Sequence, residues 1–151
     1  MRDKRFVAEH RGGPLKKEQH YQLIELACVY VENVLPLFGE TIDERLINTL
    51  TVARAWKQGK ATVSDARKAA LDAISVARES SNPAAIAVAR AVGHAVATAH
   101  VADHSLVAAW YALKAVKSAG KSIDNEREWQ DEQLPNEIRE LFLSARANKK
   151  I

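Results

Sequence analysis

Apolar residues recur at three- and four-residue steps along most of the chain, the period of one face of an α-helix. From about Leu15 the positions Leu23, Leu26, Ala27, Tyr30, Val31, Val34 and Leu35 trace one such stripe, which Pro36 and Gly39 close. Thr41 with Glu44 has the spacing of a capping box. It predicts a second helix to about Lys57, with Leu46, Ile47, Leu50, Ala53 and Trp56 inward and Gly59 as its stop. Thr62 with Asp65 repeats the pattern and opens a third helix, whose stripe is Ala66, Ala69, Ala70, Ala73, Ile74 and Ala77. Asn82 then supplies an N-cap, and Pro83 suits the first helical position.

Nothing forbids a single helix over 83–118, but it would be about 54 Å long at 1.5 Å per residue. A domain of this size has a radius of gyration of only about 15 Å. A break is therefore expected at Asp103-His104-Ser105, where Asp103 and Ser105 can each cap a new helix. The fifth helix carries Leu106, Ala109, Trp110, Leu113 and Val116 to a stop at Gly120. A sixth restarts at Ser122, Leu134-Pro135-Asn136 interrupts it, and a seventh runs from about Glu137 to Ala147. No stretch alternates apolar and polar residues between turn signals, so strands are not expected. Short connections make successive helices antiparallel neighbours. The expectation is an all-α, single-domain antiparallel bundle of about six to seven helices. Residues 1–14 form an arm ending in the breaker cluster Arg11-Gly12-Gly13-Pro14, 15–147 the helical domain, and 148–151 a frayed tail.

Composition sharpens this picture. Of 151 residues, 26 are alanine, and eight of those fall in the sixteen positions 84–99. The alanines thus predict a central helix gripped closely by its neighbours, although such a stripe could equally serve a homodimer. The single cysteine, Cys28, excludes an internal disulfide and lies between apolar neighbours as a buried thiol would. The net charge of +3 is dispersed, with 10 basic and 8 acidic groups in residues 1–60, 6 and 4 in 61–120, and 6 and 7 in 121–151. No Lys/Arg stripe suggests a nucleic-acid footprint. The start, Met1 to Phe6, is charged with no apolar run after it, and Pro83 to Val101 is interrupted by Arg90, His94 and His100. Neither a targeting signal nor a membrane span is expected, and a reducing cytoplasm is the expected location.

Three of the five histidines lie in eleven residues: His94, His100 and His104. On a continuous helix His100 and His104 would fall 40° apart, a spacing at which two imidazoles can chelate a metal. Asp103, His10 or His20 could complete such a site, in a metal-binding enzyme or sensor. Two other readings stay open. The histidines could hydrogen-bond between close-packed helices as neutral groups, or His94, Thr98, His100 and His104 could line a polar pocket without metal. Gly120-Lys121-Ser122 and Gly59-Lys60-Ala61-Thr62 imitate the end of a phosphate loop but lack its first glycine and preceding strand, and read as helix stops followed by caps. No catalytic residue and no cofactor is expected. Trp129, among polar neighbours, either folds back onto the bundle or serves as an exposed anchor. With Phe6, His10 and Arg11 of the arm it makes a candidate partner surface.

Several strings occur together in order: His10-Arg11-Gly12-Gly13-Pro14-Leu15, Trp56-Lys57-Gln58-Gly59, Ala66-Arg67-Lys68-Ala69-Ala70, Gly93 to His100 (GHAVATAH), Tyr111-Ala112 and Trp129-Gln130. In this the chain resembles the immunity protein five-like family of bacterial polymorphic-toxin systems over nearly its whole length. The resemblance implies a small all-helical cytoplasmic protein that binds and neutralises a cognate toxin by protein–protein contact, with no catalytic residues to carry over. Family members often have a histidine where this chain has Ile74. If that histidine belongs to a site in the family, its absence here counts against a required metal.

Overall fold

The computed structural model of the chain describes residues 3–149. Met1, Arg2, Lys150 and Ile151 lie outside them, and with them the first two positions of the expected arm and the last two of the expected tail. Among the described residues there are seven α-helices: α1 (Lys17–Val34), α2 (Glu44–Lys57), α3 (Val63–Glu79), α4 (Pro83–Ala97), α5 (His104–Ser118), α6 (Ile123–Glu132) and α7 (Asn136–Lys149). The only strand-like pairing among them is an isolated bridge between Ala8 and Leu15. None of these helices is long and apolar enough to cross a membrane.

The helix boundaries follow from side chains that satisfy free backbone N–H groups. Thr62 Oγ1 accepts from the Asp65 N–H while the Asp65 carboxylate accepts from the Thr62 N–H, closing a reciprocal cap on α3. Asn82 Oδ1 accepts from the N–H groups of Ala84 and Ala85, and Pro83 follows at the first helical position, so α4 starts where the sequence predicts. For α2 the cap is Asp43, whose carboxylate accepts from the Arg45 N–H, and not Thr41, which stands three residues before the helix. Gly120 ends α5 at φ +76° and Ser122 caps α6, so the phosphate-loop imitation there is a stop and a cap. Other boundaries differ from expectation as well. Helix α1 begins at Lys17, because Leu15 is held by the bridge to Ala8. Helix α7 runs through Asn148 and Lys149, so the expected fraying does not begin at 148.

Two cores result. The first joins α1 to α5 and is built largely of Ala and Val, with α4 in the middle, buried along Ala87, Val88, Ala91, Val92, Ala95 and Val96. Such small side chains let helices pack at the short end of the roughly 8–10 Å interaxial range. The alanine stripe is thus enclosed within the domain. The second core is made of large residues: Leu23, Leu26 and Tyr30 of α1, Leu106 of α5, and Ile138 and Phe142 of α7. It takes in Phe6 and Leu15 as well. The arm reaches it through the bridge, where Glu9 N–H donates to Leu15 O and Leu15 N–H to Val7 O. Gly13 makes this closure possible, since a Cβ there would stand 2.1 Å from Val7 O.

Three residues expected inside lie outward: Ile47 at 46%, Ile74 at 39% and Trp110 at 37% exposure. Helix α5 explains Trp110. It buries Leu106, Ala109 and Leu113 on one side and Ala108, Ala112 and Ala115 on the other, leaving Trp110 and Lys114 on the narrow strip that faces solvent.

Candidate functional site

The histidines do not stay on one helix. Helix α4 ends at Ala97 and α5 begins at His104, with turns between. The 40° relationship expected of His100 and His104 requires an unbroken helix, so it is not realised. Each histidine finds a different partner.

His104 pairs with His94. Their Nδ1 atoms are 2.9 Å apart and their ring centres 5.1 Å, and the His94 ring also lies 5.4 Å from that of Tyr111 at an interplanar angle of 9°. Burial, and then the neighbouring His104 and Arg90, push the His94 imidazole down to about 4, so it is neutral at physiological pH. His100 takes a different neighbour: Arg67 Nη2 of α3 approaches within 3.0 and 2.9 Å of its two ring nitrogens. His20 of α1, buried, donates from Nε2 to the backbone oxygen of Thr98 at 2.6 Å and packs 4.8 Å from Trp56. That donation fixes its proton on Nε2. Burial holds its pKa below the ordinary value, again favouring the neutral ring.

Thr98 itself is fully buried and turns its hydroxyl back to the His94 carbonyl at 3.1 Å. The expected pocket of His94, Thr98, His100 and His104 therefore separates into two places. His100 lines a cavity of about 50 Å³ with Arg11, His20 and Phe6, and that cavity includes neither His94 nor His104. The helical spacing that made His100 and His104 a candidate chelating pair is likewise not realised. The helix break parts them, and among the described residues no group of three or more His, Cys, Asp or Glu could hold a metal ion. Cys28 is buried, and burial pushes its thiol up to about 12, which removes it as a nucleophile.

The expected partner surface is also redistributed. Phe6 is 2% exposed and belongs to the second core, so it cannot present itself to a partner. Trp129 is half-buried, folded back to 6.1 Å from the Tyr30 ring. His10 and Arg11 are exposed. The chain pattern did not single out an aromatic and cationic strip on α4 and α5. Trp110 meets Tyr111 edge-on at 4.9 Å, Lys114 Nζ sits 5.2 Å from the Trp110 ring centre, and the Arg90 guanidinium lies 6.0 Å from that of Tyr111. The four-residue steps from Arg90 to His94 and from Trp110 to Lys114 were its available signal.

Compared with known families, residues 13–137 match the model described as "Imm-5 like putative immunity protein". No curated protein and no solved structure matches the chain.

Proposed function

The chain belongs to the Imm-5 like immunity-protein family, and from that membership we propose that it binds a cognate bacterial toxin and neutralises it by stoichiometric contact, without turnover, in the cytoplasm. The observation that carries the reading is the family match over residues 13–137. The geometry is in keeping with it. His20 and His94, the groups best suited to proton transfer, are held neutral in contacts between helices, and the one thiol is sealed in the core. A rigid bundle with exposed charged and aromatic positions is a suitable blocker, since affinity between proteins concentrates in a few such residues.

The test is co-expression with the toxin encoded beside this gene. Growth protection and a 1:1 complex on size-exclusion chromatography are the expected results. Absence of protection overturns the reading, whether or not a stoichiometric partner is found in the native host.

A further inference from the structure

We infer that the α4–α5 strip around Trp110 is the surface by which this chain holds its partner, and that the partner presents an acidic protein surface to it. The inference rests on the immunity reading and adds to it the place of contact and the chemistry of the other side.

Between Ser80 and Ile123 four cations, Arg90, Lys114, Lys117 and Lys121, stand against one carboxylate. Several cations elsewhere have carboxylates: Arg45 pairs with Asp43 and Glu79, Arg54 with Glu25 and Glu32, and Arg146 with Asp131. Those resting on the strip do not. Arg90 and Lys114 rest against aromatic rings and, among the described residues, have no carboxylate partner. Between Ser80 and Ile123 the sequence contains a single carboxylate, Asp103. Lys117, exposed and seven residues after Trp110, extends the same stripe. A guanidinium or ammonium seated over a ring keeps N–H donors free for an incoming carboxylate. The platform is already ordered, because Tyr111 is fixed between His94 and the cations, so binding sacrifices little side-chain entropy. Trp, Tyr and Arg around a partly exposed ring is the composition of an interface centre, and like charge repels basic partners from it.

The experiment places the photo-crosslinker p-benzoylphenylalanine at position 110 of the full chain, and in separate variants at positions 11 and 140, in the native host. Crosslinks are mapped by mass spectrometry, and each is repeated with Arg90→Glu and Lys114→Glu combined. Both are exposed, and the fold of the double variant is checked by circular dichroism; Arg90→Gln with Lys114→Gln is the milder alternative. The expected result is a crosslink from position 110 to an Asp/Glu-rich segment of one protein, reduced about tenfold or more by the charge reversal. Capture that survives the reversal, crosslinks only from 11 or 140, crosslinks to nucleic acid, or none at all overturn the inference. Toxin protection measured in parallel separates the two proposals. Protection that persists in the charge-reversed protein defeats the surface and leaves the immunity reading standing. A charge-sensitive crosslink without protection defeats the immunity reading and leaves the surface.

Discussion

His94 and His104, ten residues apart and on different helices, meet through Nδ1 atoms at hydrogen-bond distance, 2.9 Å apart. One nitrogen must donate and the other accept, so the contact tolerates at most one proton on that pair of atoms. It joins the end of α4 to the start of α5, the two helices on either side of the 98–103 turn.

Stability is accordingly expected to depend on pH. The folded His94 lies at about 4 against an ordinary 6.5, so the unfolded chain takes up the proton first. The stabilisation is complete above about pH 6.5 and is lost as the pH falls toward 4. His20, also lowered, acts with the same sign. The upper limit for His94 is about 3 kcal/mol. Urea midpoints between pH 7.5 and 4.5 check this. His94→Phe should flatten the dependence and leave the contribution of His20, and an equal slope in wild type and variant would show that His94 does not carry it.

A second expectation concerns His20. Its Nε2–H serves the Thr98 carbonyl inside the protein, and its ring packs on Trp56. His20→Phe keeps a ring and removes the donor, at a cost of about 1–3 kcal/mol for the unsatisfied carbonyl. His20→Ala loses the packing as well and should cost more. Denaturation followed by tryptophan fluorescence compares the two. An unchanged midpoint in His20→Phe would mean that water replaces the donor without penalty.

These contacts show how far the sequence could be read. Asn82-Pro83 and Thr62 with Asp65 announced their helices because capping is local, with donor and acceptor three residues apart at most. The need for a break before α5 was legible from length, although α4 already ends at Ala97, six residues before the expected Asp103. Its consequence for the histidines was not, since pairing His104 with His94 and His20 with Thr98 depends on how helices fold back. Trp110 was misplaced for another reason: nearly every position of α5 is apolar or small, so periodicity does not say which side is left for solvent. Phe6 lies in an arm with no period at all, docked by the Ala8–Leu15 bridge, the close approach at Gly13 and the hydrogen bond from Arg5 to Ser144 Oγ, none of which is local in sequence pattern.

Cys28 offers a direct probe of core opening. Burial pushes its thiol up to about 12, which leaves about one thiolate in ten thousand at pH 8. Iodoacetamide should label the native protein only through opening of the bundle, and the rate should rise to that of a free thiol in denaturant. Rapid labelling without denaturant would show that the α1–α2 region opens locally.

Two glycines should respond to alanine in opposite directions. Gly93 lies inside α4, where a Cβ would meet Ala73 Cβ at 3.5 Å and Ala70 O at 3.8 Å, ordinary contact distances. Its backbone is helical, so Gly93→Ala meets no strain and removes conformational freedom from the unfolded chain, a gain of about 0.5–1 kcal/mol. Gly13 does not have that room. A Cβ would fall 2.1 Å from Val7 O and 2.5 Å from Val7 C, both backbone atoms that the Leu15–Val7 hydrogen bond holds in place. Gly13→Ala must therefore push the arm off, expose Phe6 and open the cavity beside His100. Relief by a small side-chain motion is not available, because the obstacle is main chain. Thermal denaturation should move up for Gly93→Ala and down for Gly13→Ala, and limited proteolysis should cut the arm of Gly13→Ala first. A Gly13→Ala protein with an intact, protease-resistant arm would mean that the bridge can rearrange around the methyl group. A destabilised Gly93→Ala would mean that α3 and α4 are packed more tightly there than 3.5 Å allows.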